Sequence, residues 1–283
     1  MKIIRTLPSM TAWSERLRRE GVTIGFVPTM GALHDGHRSL IRAARLQCDA
    51  LVVSIFVNPT QFSPTEDLAK YPRPIAKDRS LCRAEGVDVC FEPTAQAMYP
   101  EGFQTVITVP AITKLWEGAS RPHHFGGVAV VVTKLFGMVR PHVALFGQKD
   151  YQQAAVVKQL VKDLNLSVAI QVRPTVRERD GLAMSSRNVY LSANERRIAP
   201  LLSQALQIGK RMIADGIRDV AAIERAMRQT LKQEPTIQVE YLAVCDQNSL
   251  EPLPVITTRA VILVAVRIGS IRLIDNMLVK ISS

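Results

Sequence analysis

The 283-residue chain is short of several things, and each shortage removes a class of function. It has four cysteines, Cys48, Cys82, Cys90 and Cys245, scattered with no CxxC pair and no histidine nearby in sequence. That spacing offers neither a disulfide framework nor a structural zinc site and predicts buried free thiols in a cytoplasmic protein. Apolar runs are short: VAVVV (128–132) and VILVAV (261–266) fall far below the ~18 residues that cross a bilayer, so no membrane association is expected. The opening MKIIRTLPSMTAW lacks a long apolar stretch, which argues against a secretory signal. Aromatic residues make up 5% of the chain and form no repeat with basic ones, and there is no basic tail. The net charge of +11 is therefore read as solvated helix faces, RLRRE (16–20) and ERR (195–197) among them, with no nucleic-acid partner. GxxxxGK[ST], GxGxxG and GxSxG are all missing, so the chain has no P-loop, no dinucleotide fingerprint and no hydrolase nucleophile elbow.

What is present is an alternation of strand and helix patterns. Residues 22–27 (VTIGFV) read as a strand between Gly21 and Pro28, and 37–47 as a helix with Leu40, Ile41 and Ala44 on one apolar face. LVVSIFV (51–57) is a continuous apolar, β-branched run that stops at the turn signal Asn58-Pro59. Helices follow at 77–85, 127–139 and 150–164, and strands at 87–91, 142–146 and 167–172. Five strands alternating with helices predict an α/β fold with a Rossmann-like doubly wound parallel sheet. After residue 175 the order changes: helices at 193–215 and 220–234, then strands at 237–244, 260–266 and near Leu278. This predicts a smaller α+β C-terminal domain, giving domains 1–175 and 176–283.

Ligands bind parallel α/β sheets beyond the carboxyl ends of the strands. Four polar segments are expected at that edge: PTMGALHDGH (28–37), NPTQF (58–62), GQKDYQQ (147–153) and GLAMSSRN (181–188). In the first, Gly31 lets the backbone approach a ligand, and the following helix N-terminus suits a phosphate. His34 and His37 are two of only five histidines. A lone histidine there would be read as a helix cap; the HxGH pair is read as phosphate donors. Ser185, Ser186 and Arg187 are good anion ligands, although SSR also suits a plain turn. Lys149 fits either a phosphate clamp or a surface ion pair with Asp150, and Gln61 and Gln153 either read hydroxyls and carboxylates or face solvent. The adjacent histidines of HHF (123–125) lack the spacing of a helical zinc pair.

At these residues the sequence resembles the pantothenate synthetase (pantoate–β-alanine ligase) family. VPTMGALHDGH, VVSIFVNPTQF, EDLAKYPR, EGASRPHHFGGV, LFGQKDYQQ, DGLAMSSRN and RAVILVAV follow one another in family order almost end to end. The HxGH element is shared with aminoacyl-tRNA synthetases and small nucleotidyltransferases, and MSSRN resembles their second signature. The resemblance implies ATP-dependent activation of pantoate to an adenylate and its capture by β-alanine. It places His34, His37, Lys149, Ser185, Ser186 and Arg187 on the triphosphate, with His37 as proton donor and His34, Lys149 and Arg187 also catalytic. Met30 and Gly31 would lie along the nucleotide, Gly147 and Asp150 at the ribose, and Val176 and Met184 at adenine. Gln61 and Gln153 would hold pantoate, supported by Asn58 and Arg121. The family's Mg²⁺ would arrive with ATP; Asp78, beside Lys77, is a weak ligand candidate. A homodimer is implied; a C-terminal lid hinged near 174–177 is expected, because GLAMSSRN has to reach phosphates held by the other domain. Thr60 replaces the family's usual methionine and Gln148 its usual glutamate, which bears on pocket shape. A nucleotidyltransferase that keeps AMP on its product, or an RNA-binding module, are the competing readings.

Overall fold

Apolar segments with β-branched residues become strands of a single parallel sheet, and the amphipathic segments between them cover its two faces. The computed structural model describes residues 1–63 and 68–281. Its elements begin with β1 (Lys2–Ile4), α1 (Leu7–Arg19), β2 (Ile24–Thr29), α2 (Asp35–Arg45) and β3 (Ala50–Ile55). Next come α3 (Ile75–Ala84), β4 (Val89–Phe91) and three single-turn helices, α4 (Ala95–Met98), α5 (Pro110–Thr113) and α6 (Glu117–Ser120). The sheet is completed by α7 (His124–Val139), β5 (Val143–Gly147), α8 (Tyr151–Asp163) and β6 (Ala169–Arg173). Glu66 and Asp67 of the EDLAKYPR motif lie outside the described residues.

The strand order is β1-β4-β3-β2-β5-β6, all parallel. The chain runs outward from β2 to β3 and β4, then returns to place β5 on the other side of β2. Between β2 and β5 the winding reverses, which is where such sheets bind ligands. Ile24 and Phe26 pack with Met10, Phe136 and Val157 on one face, while Val27 and Leu51 pack with Leu40, Ile41 and Cys82 on the other. Burial on both faces explains why β2 and β3 read as unbroken apolar runs. The sequence reading missed β1: three residues, KII, are too short to show a period, and only pairing with β4 makes them a strand.

Contacts divide the chain into two units, Met1–Gln148 with Gln152–Pro174, and Lys149–Tyr151 with Thr175–Ser283. The second unit contains α9 (Ala193–Ile198), α10 (Leu201–Ala214), α11 (Val220–Leu231), β7 (Ile237–Cys245), β8 (Arg259–Ile268) and β9 (Ile271–Lys280). The strands form an antiparallel sheet in the order β7-β8-β9. Leu202, Leu206, Ile223 and Met227 pack against Ile262, Val264 and Leu273. The single helix expected over 193–215 is two, because Pro200 has no N–H to continue the ladder and caps α10 instead. Among the described residues no helix is long and apolar enough to cross a membrane.

Candidate active site

The turn after β2 is built on a buried carboxylate. Gly31 (φ 82°) and Ala32 (φ 51°) both adopt left-handed backbone, which is strained for alanine. Asp78 of α3 offsets that strain, its two carboxylate oxygens accepting from Ala32 N at 2.9 Å and Leu33 N at 2.8 Å. A Cβ at Gly31 would meet Asp78 Oδ2 and Ile55 Cγ2, each at 3.0 Å, so both space and backbone require glycine. Asp78 is 1% exposed. Burial pushes its carboxyl above the ordinary aspartate range, outweighing the lowering effect of the two amides.

Directly after this turn, His34 caps α2. Its Nδ1 accepts from Gly36 N at 3.1 Å, and His37 Nδ1 accepts from His34 N at 3.3 Å, a reciprocal capping box. A backbone N–H only donates, so each neutral ring carries its proton on Nε2. The two rings lie 4.2 Å apart, centroid to centroid. Capping and ligand binding are therefore compatible roles: capping fixes the tautomer, and that tautomer is a donor. A cavity of about 400 Å³ opens beside the turn, lined by Met30, Gly31, Ile55, Phe56, Arg73 and Asp78 among others.

The turn after β3 is held by an amide network. Asn58 Nδ2 donates to Gln61 Oε1 (3.0 Å) and to the Gly127 carbonyl (3.1 Å). Asn58 Oδ1 accepts from the Tyr99 hydroxyl (2.7 Å) and from Thr60 Oγ1 (3.0 Å). Both ends of the Asn58 amide are thus fixed, and Gln61, itself buried, has its oxygen toward Asn58 and its NH₂ turned away. Arg121 donates to the Gln61 carbonyl at 3.2 Å, and His124 Nδ1 lies 3.0 Å from the same oxygen. α7 reaches this turn through Gly127, where a Cβ would collide with the Thr60 carbonyl. Thr60, in the place of the usual methionine, thereby adds a hydroxyl to the network.

Gly147 closes β5 opposite Arg173. In the first turn of α8, Gln152 is buried and holds the 112–117 segment, donating to the Ile112 (2.8 Å) and Leu115 (2.9 Å) carbonyls and accepting from Glu117 N (2.9 Å). Gln153, the candidate ligand, is half-buried beside it. The first unit thus carries Met30, Gly31, His34, His37, Asn58, Gln61, Asp78, Arg121, Gly147 and Gln153.

The remaining candidates, Lys149, Asp150, Val176, Met184, Ser185, Ser186 and Arg187, belong to the second unit. Lys149 Nζ lies 3.3 Å from Asp150 Oδ1. Val176 and Met184 are paired by the bond from Met184 N to Val176 O (3.0 Å), beside a bridge between Arg177 and Ala183. Ser185 Oγ accepts from Arg187 N at 3.3 Å and caps a 3-10 turn over Ser186–Tyr190. Arg196 spans Asp180 and Glu178, each at 2.6 Å, and holds the Asp180 carboxyl below the ordinary range. Asn188 adds bonds to Glu178 Oε1 (2.9 Å) and the Ala183 carbonyl (3.1 Å). The segment is a braced hairpin and not a simple connection.

Sequence reasoning passed over Gln152, Tyr99 and the structural part played by Gly127. The pair Gly126-Gly127 was a usable signal, since glycine costs stability inside a helix and marks a close approach; Tyr99 and Gln152 carried none. Among the described residues no three His, Cys, Asp or Glu side chains converge to hold a metal ion. Asp78, the weak metal candidate, is bonded here to two backbone amides, one on each carboxylate oxygen.

Comparison with known proteins agrees over the whole length. A family model described as pantoate-beta-alanine ligase matches residues 2–278. The pantothenate synthetase of Heliobacterium modesticaldum is 51% identical over 281 residues, covering 99% of this chain and 100% of that protein. That of Moorella thermoacetica is 47% identical, covering 100% of each. The crystal structure of pantothenate synthetase from Thermus thermophilus superposes with a TM-score of 0.94 at 45% identity, covering 98% of this chain and 99% of that one. The pantoate-beta-alanine ligase of Francisella tularensis, crystallised with beta-gamma ATP and beta-alanine, has a TM-score of 0.81 at 36% identity, covering 98% and 97%.

Proposed function

The chain belongs to the pantoate–β-alanine ligase family, and from that premise we propose that it uses ATP to join the two through a pantoyl adenylate. The pantoate carboxylate attacks the α-phosphorus of ATP and pyrophosphate leaves. The β-alanine amine then attacks the acyl carbon, forming the amide and expelling AMP. The observation that carries the reading is the turn after β2, where two histidines with Nε2–H donors sit at a helix N-terminus at the switch point of the sheet. The Francisella relative, crystallised with an ATP compound and β-alanine, supports both substrates.

Charge builds on the α-phosphate and departing pyrophosphate in the first step, so prepositioned donors do most of the catalytic work. His34 and His37 donate from Nε2 to phosphate oxygens, joined by Lys149, Ser185, Ser186 and Arg187. In this state His37 is a neutral hydrogen-bond donor: an imidazolium would put a proton on Nδ1 and lose the bond from His34 N. Met30 and Gly31 line the nucleotide, Gly147 and Asp150 meet the ribose, and Val176 and Met184 border adenine. Gln61 and Gln153 hold pantoate, with Asn58 and Arg121 fixing the Gln61 turn. Magnesium enters as MgATP. The enzyme is a cytoplasmic homodimer, the compartment supported by four free cysteines.

The test is release of pyrophosphate and AMP from purified protein with MgATP and pantoate, with and without β-alanine. Pyrophosphate that requires pantoate, and an amide that requires β-alanine, are expected; His37→Ala lowers the rate about 100-fold. An AMP-bearing product that persists in the presence of β-alanine would replace this reading with the nucleotidyltransferase one.

A further inference from the structure

We infer that Asp275 and Asn276, successive residues of β9, position two ATP-holding segments at once, the 177–187 loop from one face of the strand and Lys149 from the other. The inference rests on the roles proposed above for Lys149, Ser185, Ser186 and Arg187. It concerns only contacts inside the second unit.

Successive strand residues point to opposite faces. Leu273, Met277 and Val279 face the apolar core of the unit, which sets Asp275 on that face and Asn276 on the other. Both are polar and almost fully buried, Asp275 at 4% and Asn276 at 2% exposed. A buried carboxylate next to core side chains is costly unless paired and fully bonded. Here it is both. Arg177 NH1 donates to Asp275 Oδ2 at 2.6 Å and NH2 to Oδ1 at 3.0 Å, while Asn276 N donates to Oδ1 at 2.7 Å. Arg177 then has donors left for the loop and the strand: NH1 reaches the Gly181 carbonyl at 3.0 Å, and NH2 the Asn276 carbonyl at 3.3 Å. The loop that leads into Met184–Arg187 is therefore fastened to β9 through one guanidinium.

On the opposite face, Asn276 Nδ2 donates to the Lys149 carbonyl at 2.9 Å. A second tie lies two residues along, where the Tyr151 hydroxyl donates to the Gln247 carbonyl at 2.8 Å. These bonds attach Lys149–Tyr151 to the second unit although β5 and most of α8 belong to the first. One dipeptide thus sets the backbone beneath the lysine and the loop that carries the serines and Arg187. Neither residue needs to touch ATP; both are positioning residues.

The test compares Asn276→Ala with Met277→Ala, the adjacent core truncation that disturbs packing and leaves the Lys149 carbonyl bond in place. Titration calorimetry with a non-hydrolysable ATP analogue and Mg²⁺ reads binding directly, and steady-state kinetics reads each KM. Asn276→Ala is expected to weaken analogue binding about fivefold, the equivalent of one lost hydrogen bond, with the pantoate KM unchanged. Met277→Ala is expected to bind the analogue like the wild type at temperatures where it is folded. Should Asn276→Ala not fold, Asn276→Ser, too short to reach the carbonyl, carries the same expectation. Unchanged binding in the Asn276 variant, or equal weakening in both, overturns the inference. Folded wild type that does not bind the analogue overturns it together with the proposed function; binding without pantoate-dependent turnover overturns the proposed function alone.

Discussion

The turn at 30–34 and the loop at 176–188 are assigned the same kind of ligand, yet they are held by different physics. The first is fixed by backbone amides on a single desolvated carboxylate and by two imidazoles that cap the helix they begin. The second is fixed by guanidinium–carboxylate pairs, Arg177 with Asp275 and Arg196 with Glu178 and Asp180, the latter partly open to water. Desolvated hydrogen bonds are nearly indifferent to salt, whereas half-exposed ion pairs weaken as ions screen them. One segment is a fixed floor; the other has a stiffness that solution conditions can change.

The contrast is broken most forcefully at Asp78. Asp78→Ala leaves the Ala32 and Leu33 amides without their acceptor, with an expected loss of about 2–4 kcal/mol measured by denaturant unfolding. The accompanying displacement of His34 and His37 lowers kcat about 100-fold in the pyrophosphate assay. Normal turnover in that variant would mean the turn holds its shape without the carboxylate. A smaller effect is expected at Arg196→Met, which severs the brace between Glu178 and Asp180. The ATP KM rises about 2- to 5-fold at low salt, and the gap from wild type narrows as salt approaches ~0.5 M. A difference that persists at high salt would show that packing of the arginine stem, and not its charge, braces the loop.

Acid should separate the two segments by sign, with the smallest effect of the three. Asp180, held low by Arg196, contributes stability that is present above the ordinary aspartate range and lost as pH falls through its depressed value. Asp78, pushed up by burial, contributes in the reverse sense: fully below the ordinary range, and decreasingly as pH rises through its raised value. Between pH 7 and about 3.5, the stability gap between wild type and Asp180→Asn is expected to shrink while that between wild type and Asp78→Asn grows in the wild type's favour. Denaturant midpoints across that series decide it, and gaps that move in the same direction would remove the distinction.

Much of the sheet was legible because burial on both faces writes itself into sequence as continuous apolar runs, as in LVVSIFV. β1 was not, since its strand character comes entirely from β4. The histidine pair was visible as a motif, but the capping bonds that leave the proton on each Nε2 follow from Nδ1 positions that no spacing reveals. Asp78 was noticed as a weak metal candidate, while its bonds to amides some 45 residues away in the chain left no trace in the sequence. Asp275 and Asn276 are separated from Arg177 and Lys149 by 98 and 127 positions, so no local window contains the relation.

The single hydrogen that Gly127 carries where other residues carry a Cβ has a consequence for how this enzyme can diversify. Backbone rests on backbone there, and the turn over Asn58–Gln61 has no room to slide along α7. If that turn walls the pantoate site, as proposed above, selection for a bulkier or smaller acid cannot act by shifting the backbone there. On that reading it would work through the side chains that project from the turn, Thr60 among them, bonded to Asn58 and reaching Tyr99.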